Sequence, residues 1–114
     1  LEGGTVSQEA ILAVSAAKGG GLKELYAPTR FQAAAEAGAD AVKDGALTEF
    51  EKRCDNAVED YLAGALYVPF GEAPLVGYLA ARETEYTNLR ILLMGRSAGI
   101  DPQVIRSRLR KSYV

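Results

Sequence analysis

Histidine and tryptophan are absent from this chain, and cysteine and methionine occur once each. Without histidine there is no Ser-His-Asp or Cys-His nucleophile, no His-ligated metal and no imidazole pH switch within these residues. A helical-bundle di-iron centre needs Glu-x-x-His pairs, so that use of helical carboxylates is excluded as well. A lone Cys54 permits neither an intrachain disulfide nor a cysteine-built zinc site. Its place in the apolar stripe of a predicted helix suits a small buried hydrophobe, and its solitude suits a reducing compartment. No apolar run nears the roughly 20 residues that span a bilayer; Leu89 to Gly95 is broken by Arg90. No charged-then-apolar signal segment opens the chain. The expectation is a soluble domain that reaches a membrane only through partners. Strand signals are also scarce, since Val and Ile are scattered without period-two alternation.

What is present is helical. The 114 residues suit one domain able to bury a core without staples. Apolar content of 48% and charge of 25% are ordinary for a globular chain. Because it opens on Leu1, the chain is expected to be a fragment of a longer polypeptide. Gly3-Gly4 reads as a turn. Thr5, with Gln8 at capping-box spacing, or Ser7 then caps a helix with Ala10, Ile11, Val14 and Ala17 on its apolar side. Gly19-Gly20-Gly21 ends it. These glycines follow no strand and lack dinucleotide or Walker A spacing, so they read as a flexible stop. Leu22 to Tyr26 is a short helical turn stopped by Pro28. Arg30 to Ala46, after a capping Thr29, is alanine-rich and poor in large apolar residues, so it should bury little and be the loosest element.

Leu47 to Leu66 is amphipathic, with Leu47, Phe50, Cys54, Ala57, Tyr61 and Ala65 on one face and Val58, Leu62 and Leu66 widening it. Thr48 is a candidate cap. Glu51, Asp55 and Glu59 form an i, i+4, i+8 acidic stripe, either solvated or neutralised by a cation from elsewhere. Pro69-Phe70-Gly71 turns the chain. Pro74 then opens a helix to about Ala98, apolar nearly all round its second half and therefore expected to be buried. Short turns between long helices predict an antiparallel hairpin. Gly99 stops the second helix; Asp101-Pro102 starts a short basic one, with Ile105 and Leu109 inward and Arg106, Arg108, Arg110 and Lys111 around them. The fold class is all-α: a compact multi-helix domain with a long helical hairpin and a short C-terminal helix.

Charges lie within the apolar pattern of the Pro74–Ala98 helix: Arg82, Glu83, Glu85, Asn88, Arg90 and Arg96. Buried charges need partners. Arg82 reaches Glu85 at i+3; Glu83 shares a face with Arg90 or meets Lys52 or Arg53 on the preceding helix. No nucleophile, metal cage or phosphate cradle accompanies these carboxylates, so they read as a register-setting network or a docking surface. Glu83 and Arg90 are expected to be buried and paired, and Leu89→Ala to cost about 2–5 kcal/mol as a core truncation. Charge is also unevenly spread. Residues 1–72 carry a net −6 and residues 73–114 a net +4. The basic end therefore meets something acidic or folds back on the acidic part. A helix–turn–helix look from Gly95 to Lys111 raises an alternative, a small nucleic-acid-binding or regulatory protein using the basic helix. Its face offers only arginines, lysine and serines, however, and no base-reading set.

Several phrases together resemble the C subunit of archaeal and bacterial V-type (A/V-type) ATP synthases, whose eukaryotic V-ATPase counterpart is the d subunit. They are Gly3-Gly4 with Ser7-Gln8-Glu9, then Leu47-Thr48-Glu49-Phe50-Glu51 with Asp55, then Pro69-Phe70-Gly71. The most specific runs from Pro74 to Arg96, PLVGYLAARETEYTNLRILLMGR, with Arg82 and Arg96 where lysine is more usual. The ending from Asp101-Pro102 to Ile105-Arg106 and Leu109 fits too. The match is dense from Leu47 to Val114 and loose before it. The resemblance implies that residues 1–114 form one domain, the last part of a longer three-domain helical funnel. It implies a non-catalytic central-stalk protein, with no cofactor, metal or small-molecule substrate. Its partners would be the rotor shaft subunits and the membrane rotor ring. Its place would be cytoplasmic, peripheral to the membrane. Glu51, Asp55, Arg82, Glu83, Glu85, Asn88, Arg90 and Arg96 are the candidate structural or docking charges.

Overall fold

Small residues set how closely these helices approach. The computed structural model describes residues 4–112, so Gly3 of the expected first turn lies outside them. The helices in order are α1 (Gln8–Ala16), α2 (Leu22–Tyr26), α3 (Gln32–Asp44), α4 (Leu47–Ala63), a 3-10 turn (Gly64–Tyr67), α5 (Ala73–Ser97) and α6 (Pro102–Arg108). No strand occurs among the described residues, as the all-α expectation requires. The chain divides into two compact units, Leu1–Arg53 and Cys54–Val114, with the boundary inside α4.

In the first unit Ser7 caps α1, its hydroxyl accepting the Ala10 N–H at 3.3 Å. The helix ends before the glycine run. Lys18 (φ 51°) takes the first left-handed position, ahead of Gly19 (φ 82°), and the Lys18 and Gly19 N–H groups close on Ser15 and Val14 carbonyls. Pro28 ends α2 as expected, but Thr29 braces the turn instead of capping α3. Its hydroxyl donates to the Tyr26 carbonyl at 2.8 Å and accepts from the Phe31 N–H at 3.2 Å. The alanine-rich α3 is better packed than its composition suggests: Ala34, Ala35, Gly38 and Ala41 are all buried. A Cβ on Gly38 would sit 3.1 Å from both Leu22 Cδ2 and the Phe50 ring, so the bare backbone lets α2 and the start of α4 close on α3. A Lys23–Glu36 ion pair of 2.9 Å links α2 and α3. The Glu36 hydrogen bond, then its charge, raises the Lys23 pKa above the ordinary lysine value. A raised lysine pKa stabilises the fold below that ordinary value, so this help fades only under strongly alkaline conditions.

In the second unit the end of α4 and the start of α5 run antiparallel. Glu59 meets Thr84, and the Leu62 and Ala65 positions meet Gly77, so residue numbers fall on one helix as they rise on the other. This is the expected hairpin, with the last turn of the first helix tightened to 3-10. Thr48 lies inside α4, which begins at Leu47. The C-terminus of α5 is a Schellman stop. Gly99 (φ 67°) donates to the Arg96 carbonyl at 3.1 Å, and Ile100 donates to the Gly95 carbonyl at 2.9 Å. Asp101 caps α6 by accepting the Gln103 N–H at 2.7 Å. Ile105 is buried against Gly95, and Leu109 is half-buried.

The expectation of an all-round buried α5 is overturned. Only Gly77 and Gly95 are buried along it, while Leu75, Leu79, Tyr86, Leu89 and Leu93 are exposed. One narrow, glycine-marked side of the helix meets α4 and α6, and apolar content alone does not supply neighbours for the others. The same holds for Leu47 and Tyr61 of α4, which are exposed on the face expected to be inward. Leu89 is 50% exposed. Leu89→Ala should therefore cost about 1 kcal/mol rather than a core-sized loss, measured by urea denaturation. By contrast, a Cβ at position 95 would meet Ile105 Cγ1 at 2.7 Å. Gly95→Ala should cost about 1–3 kcal/mol in the same assay despite its better helix propensity.

Candidate functional site

The best-defined polar constellation is the C-terminal segment laid across α4 and α5 of the second unit. After α6 the backbone turns extended at Leu109 (φ −63°, ψ 142°), leaving the groups that follow without a helical partner. Asn88 of α5 satisfies one residue of it completely. The Asn88 Oδ1 accepts the Arg110 N–H at 2.7 Å, and its Nδ2 donates to the Arg110 carbonyl at 3.0 Å. The Arg110 guanidinium then crosses to α4, its Nε donating to Asp55 Oδ2 at 2.6 Å and its Nη1 to the Arg108 carbonyl at 2.9 Å. One residue further, the Lys111 N–H donates to Asn56 Oδ1 at 2.8 Å, and its ammonium pairs with Asp60. The uneven charge distribution has a structural meaning here: part of the basic end folds back on the acidic helix.

Glu59 is the exception among these carboxylates. The acidic stripe predicts a group either solvated or neutralised by a cation; Glu59 is instead 7% exposed. Thr84 donates to its Oε2 at 3.0 Å, while Oε1 is buried without a hydrogen-bond partner among the described residues. Beside it lies a cavity of about 250 Å³ lined by Asp55, Val58, Leu62, Ala80, Glu83 and Thr84, with Thr87 and Arg110 completing the wall.

The other charges singled out from sequence are more dispersed. Arg82 pairs with Glu85 as the i+3 spacing indicates, on an exposed surface. Glu51 and Arg96 are exposed. Glu83 and Arg90, expected to be buried and paired, are exposed, and neither forms an ion pair among the described residues. Arg90 lies away from the narrow contact along α5, and Glu83 stands at its edge, in the wall of the cavity beside α4. Asn56, Glu59, Asp60, Thr84, Arg110 and Lys111 complete the constellation, and none of them is among the charges that sequence pattern singles out for docking. Charge asymmetry hints at the two cations, but nothing local marks Asn56 or Thr84 as partners to residues 25 to 55 positions away. Among the described residues no three His, Cys, Asp or Glu side chains group to hold a metal ion. No helix among them is long and apolar enough to cross a membrane.

This arrangement braces and docks. Asn88→Ala removes two hydrogen bonds and strands a partly buried N–H and C=O, so it should cost about 1–3 kcal/mol. Amide exchange at Arg110 and Lys111 should accelerate in parallel. Asp55→Ala takes the carboxylate from an Arg110 side chain that is only 14% exposed and should cost about 1–3 kcal/mol in the same denaturation assay.

The family described as ATP synthase (C/AC39) subunit matches residues 1–108. The C subunit of the A-type ATP synthase of Haloferax volcanii is 32% identical over 111 residues, covering 96% of this chain and 32% of that protein. The C subunit of the V-type sodium ATPase of Enterococcus hirae is 30% identical over 67 residues, 59% of this chain and 20% of its own length. The C subunit of the A-type ATP synthase of Methanocaldococcus jannaschii is 33% identical over 76 residues, 66% of this chain and 19% of its own. The chain spans about a third or less of the length of these curated relatives. No solved structure gives a significant match.

Proposed function

The chain belongs to the ATP synthase (C/AC39) subunit family, and from that premise we propose that it is part of a non-catalytic rotor subunit of a rotary ATPase or ATP synthase. In this role it couples a soluble catalytic head to a membrane ion-translocating ring. The family match across residues 1–108 carries the reading. Residues 1–114 serve as one helical domain of a longer polypeptide. Its partners are the rotor shaft and the membrane ring of the same complex, which hold it at the cytoplasmic side, peripheral to the membrane. It takes no nucleotide, cofactor or small-molecule substrate.

Physical features support that role. A part that transmits torque gains from close-packed helices, which resist compression. Exposed Leu75, Leu79, Tyr86, Leu89 and Leu93 on α5 suit a chain that packs against further protein. Exposed Glu51, Glu83, Arg90 and Arg96 suit polar contacts that set orientation more than affinity. The nucleic-acid alternative has less support, because Arg110 and Lys111 are engaged with Asp55 and Asp60 of the same chain.

The test is reconstitution. A complex lacking this protein should hydrolyse ATP in its head without driving ion uptake into vesicles, and adding the protein back should restore coupling. The isolated protein should show no ATP turnover. Coupled transport in its absence, or ATP hydrolysis by it alone, would sink the reading. Titration with a generic DNA duplex should show no micromolar, steeply salt-dependent binding at physiological ionic strength.

A further inference from the structure

Glu59 lies more than nine-tenths buried with one carboxylate oxygen unsatisfied among the described residues, beside a cavity of about 250 Å³. A buried carboxylate oxygen without a donor is costly, and such groups are seldom left so. Glu59 itself lines that cavity, and Oε1 is its oxygen without a donor among the described residues. Thr84 accounts for the other oxygen. Glu83 stands exposed at the rim with no ion pair among the described residues. Arg110, the cation at the cavity, is engaged by Asp55. Two carboxylates therefore face the same space without a cation of their own.

We propose that this cavity is a binding site for the ammonium group of a lysine side chain presented by a partner protein. Val58, Leu62 and Ala80 give the apolar wall along which a lysine stem lies while its head reaches a polar group. Glu59 offers a single free oxygen, since Thr84 holds its mate. A point charge with rotatable donors fits that offer. Arginine's planar fork is used in full only by two oxygens of one carboxylate, so a single free oxygen favours the ammonium. A hard divalent cation would need about six oxygen ligands, and no three-residue grouping for a metal exists among the described residues. The inference does not depend on which complex the chain serves.

The test uses the full chain and two variants, E59Q and E83Q, at matched ionic strength. The probes are Nα-acetyl-lysine N-methylamide, its norleucine analogue lacking the ammonium, and sodium chloride; the readout is the Thr84 and Thr87 methyl and amide NMR shifts. The lysine probe alone should give saturable shifts. Glu59→Gln should weaken its binding about tenfold or more, the scale of a hydrogen bond to a buried charge. Glu83→Gln, at an exposed position that the fold tolerates, should weaken it about twofold. An unchanged melting temperature in E59Q shows that lost binding is not lost folding, and E83Q carries the comparison if E59Q unfolds. Equal shifts with norleucine, reproduction by sodium, equal affinity in all three proteins, or no saturable shift would each overturn the proposal. The last would leave the free oxygen of Glu59 to a water molecule.

Discussion

Close approach at residues with little or no side chain underlies both units of this chain. In the first, Gly38 lets the Leu22 methyl and the Phe50 ring come within 3.1 Å of where a Cβ would stand, and Ala34, Ala35 and Ala41 bury themselves beside it. In the second, Gly77 admits Ala65 and the Leu62 carbonyl, and Gly95 admits Ile105. Backbones that approach this closely gain dispersion contacts over their whole length, with little side-chain entropy to lose. The consequence is an inversion of the usual pattern. Small residues are inside, and many of the large ones on α4 and α5 are outside.

The charges follow from that geometry. Because α5 touches its neighbours along one narrow side, charges elsewhere on it stay in water and need no internal partner. Glu83 and Arg90 are tolerated as exposed groups. Where the chain does fold back, polar groups are matched closely. Asn88 answers both backbone groups of Arg110, and two basic side chains meet two acidic ones on α4. Glu59 breaks that rule, and a polar group that breaks it is where a ligand or a solvent molecule is to be sought.

Helix identity is legible because it rests on short-range signals. The Ser7 and Asp101 caps, the Pro28 break and the Gly99 stop each act through bonds within a few residues, so local composition is enough to place them. The Arg82–Glu85 pair is readable for the same reason. The glycine run at 19–21 points to a stop slightly later than the real one, because Lys18 rather than a glycine takes the first left-handed position. Family membership is readable from the Pro74–Arg96 phrase, a long motif that places many specific residues at fixed spacing along one helix.

By itself, then, the sequence determined an all-helical chain, its turns, the hairpin of α4 and α5, and the uneven distribution of charge. Only the tertiary structure decided which face of each helix is covered. Hydrophobic periodicity states what a helix can bury, not whether a neighbour is present to cover it, and Leu89 is half exposed for that reason. Partners such as Asn56 for Lys111, or Thr84 for Glu59, lie far apart in the chain. Their pairing depends on the register of packed helices, which the close contacts at Gly77 and Gly95 set and no local spacing encodes.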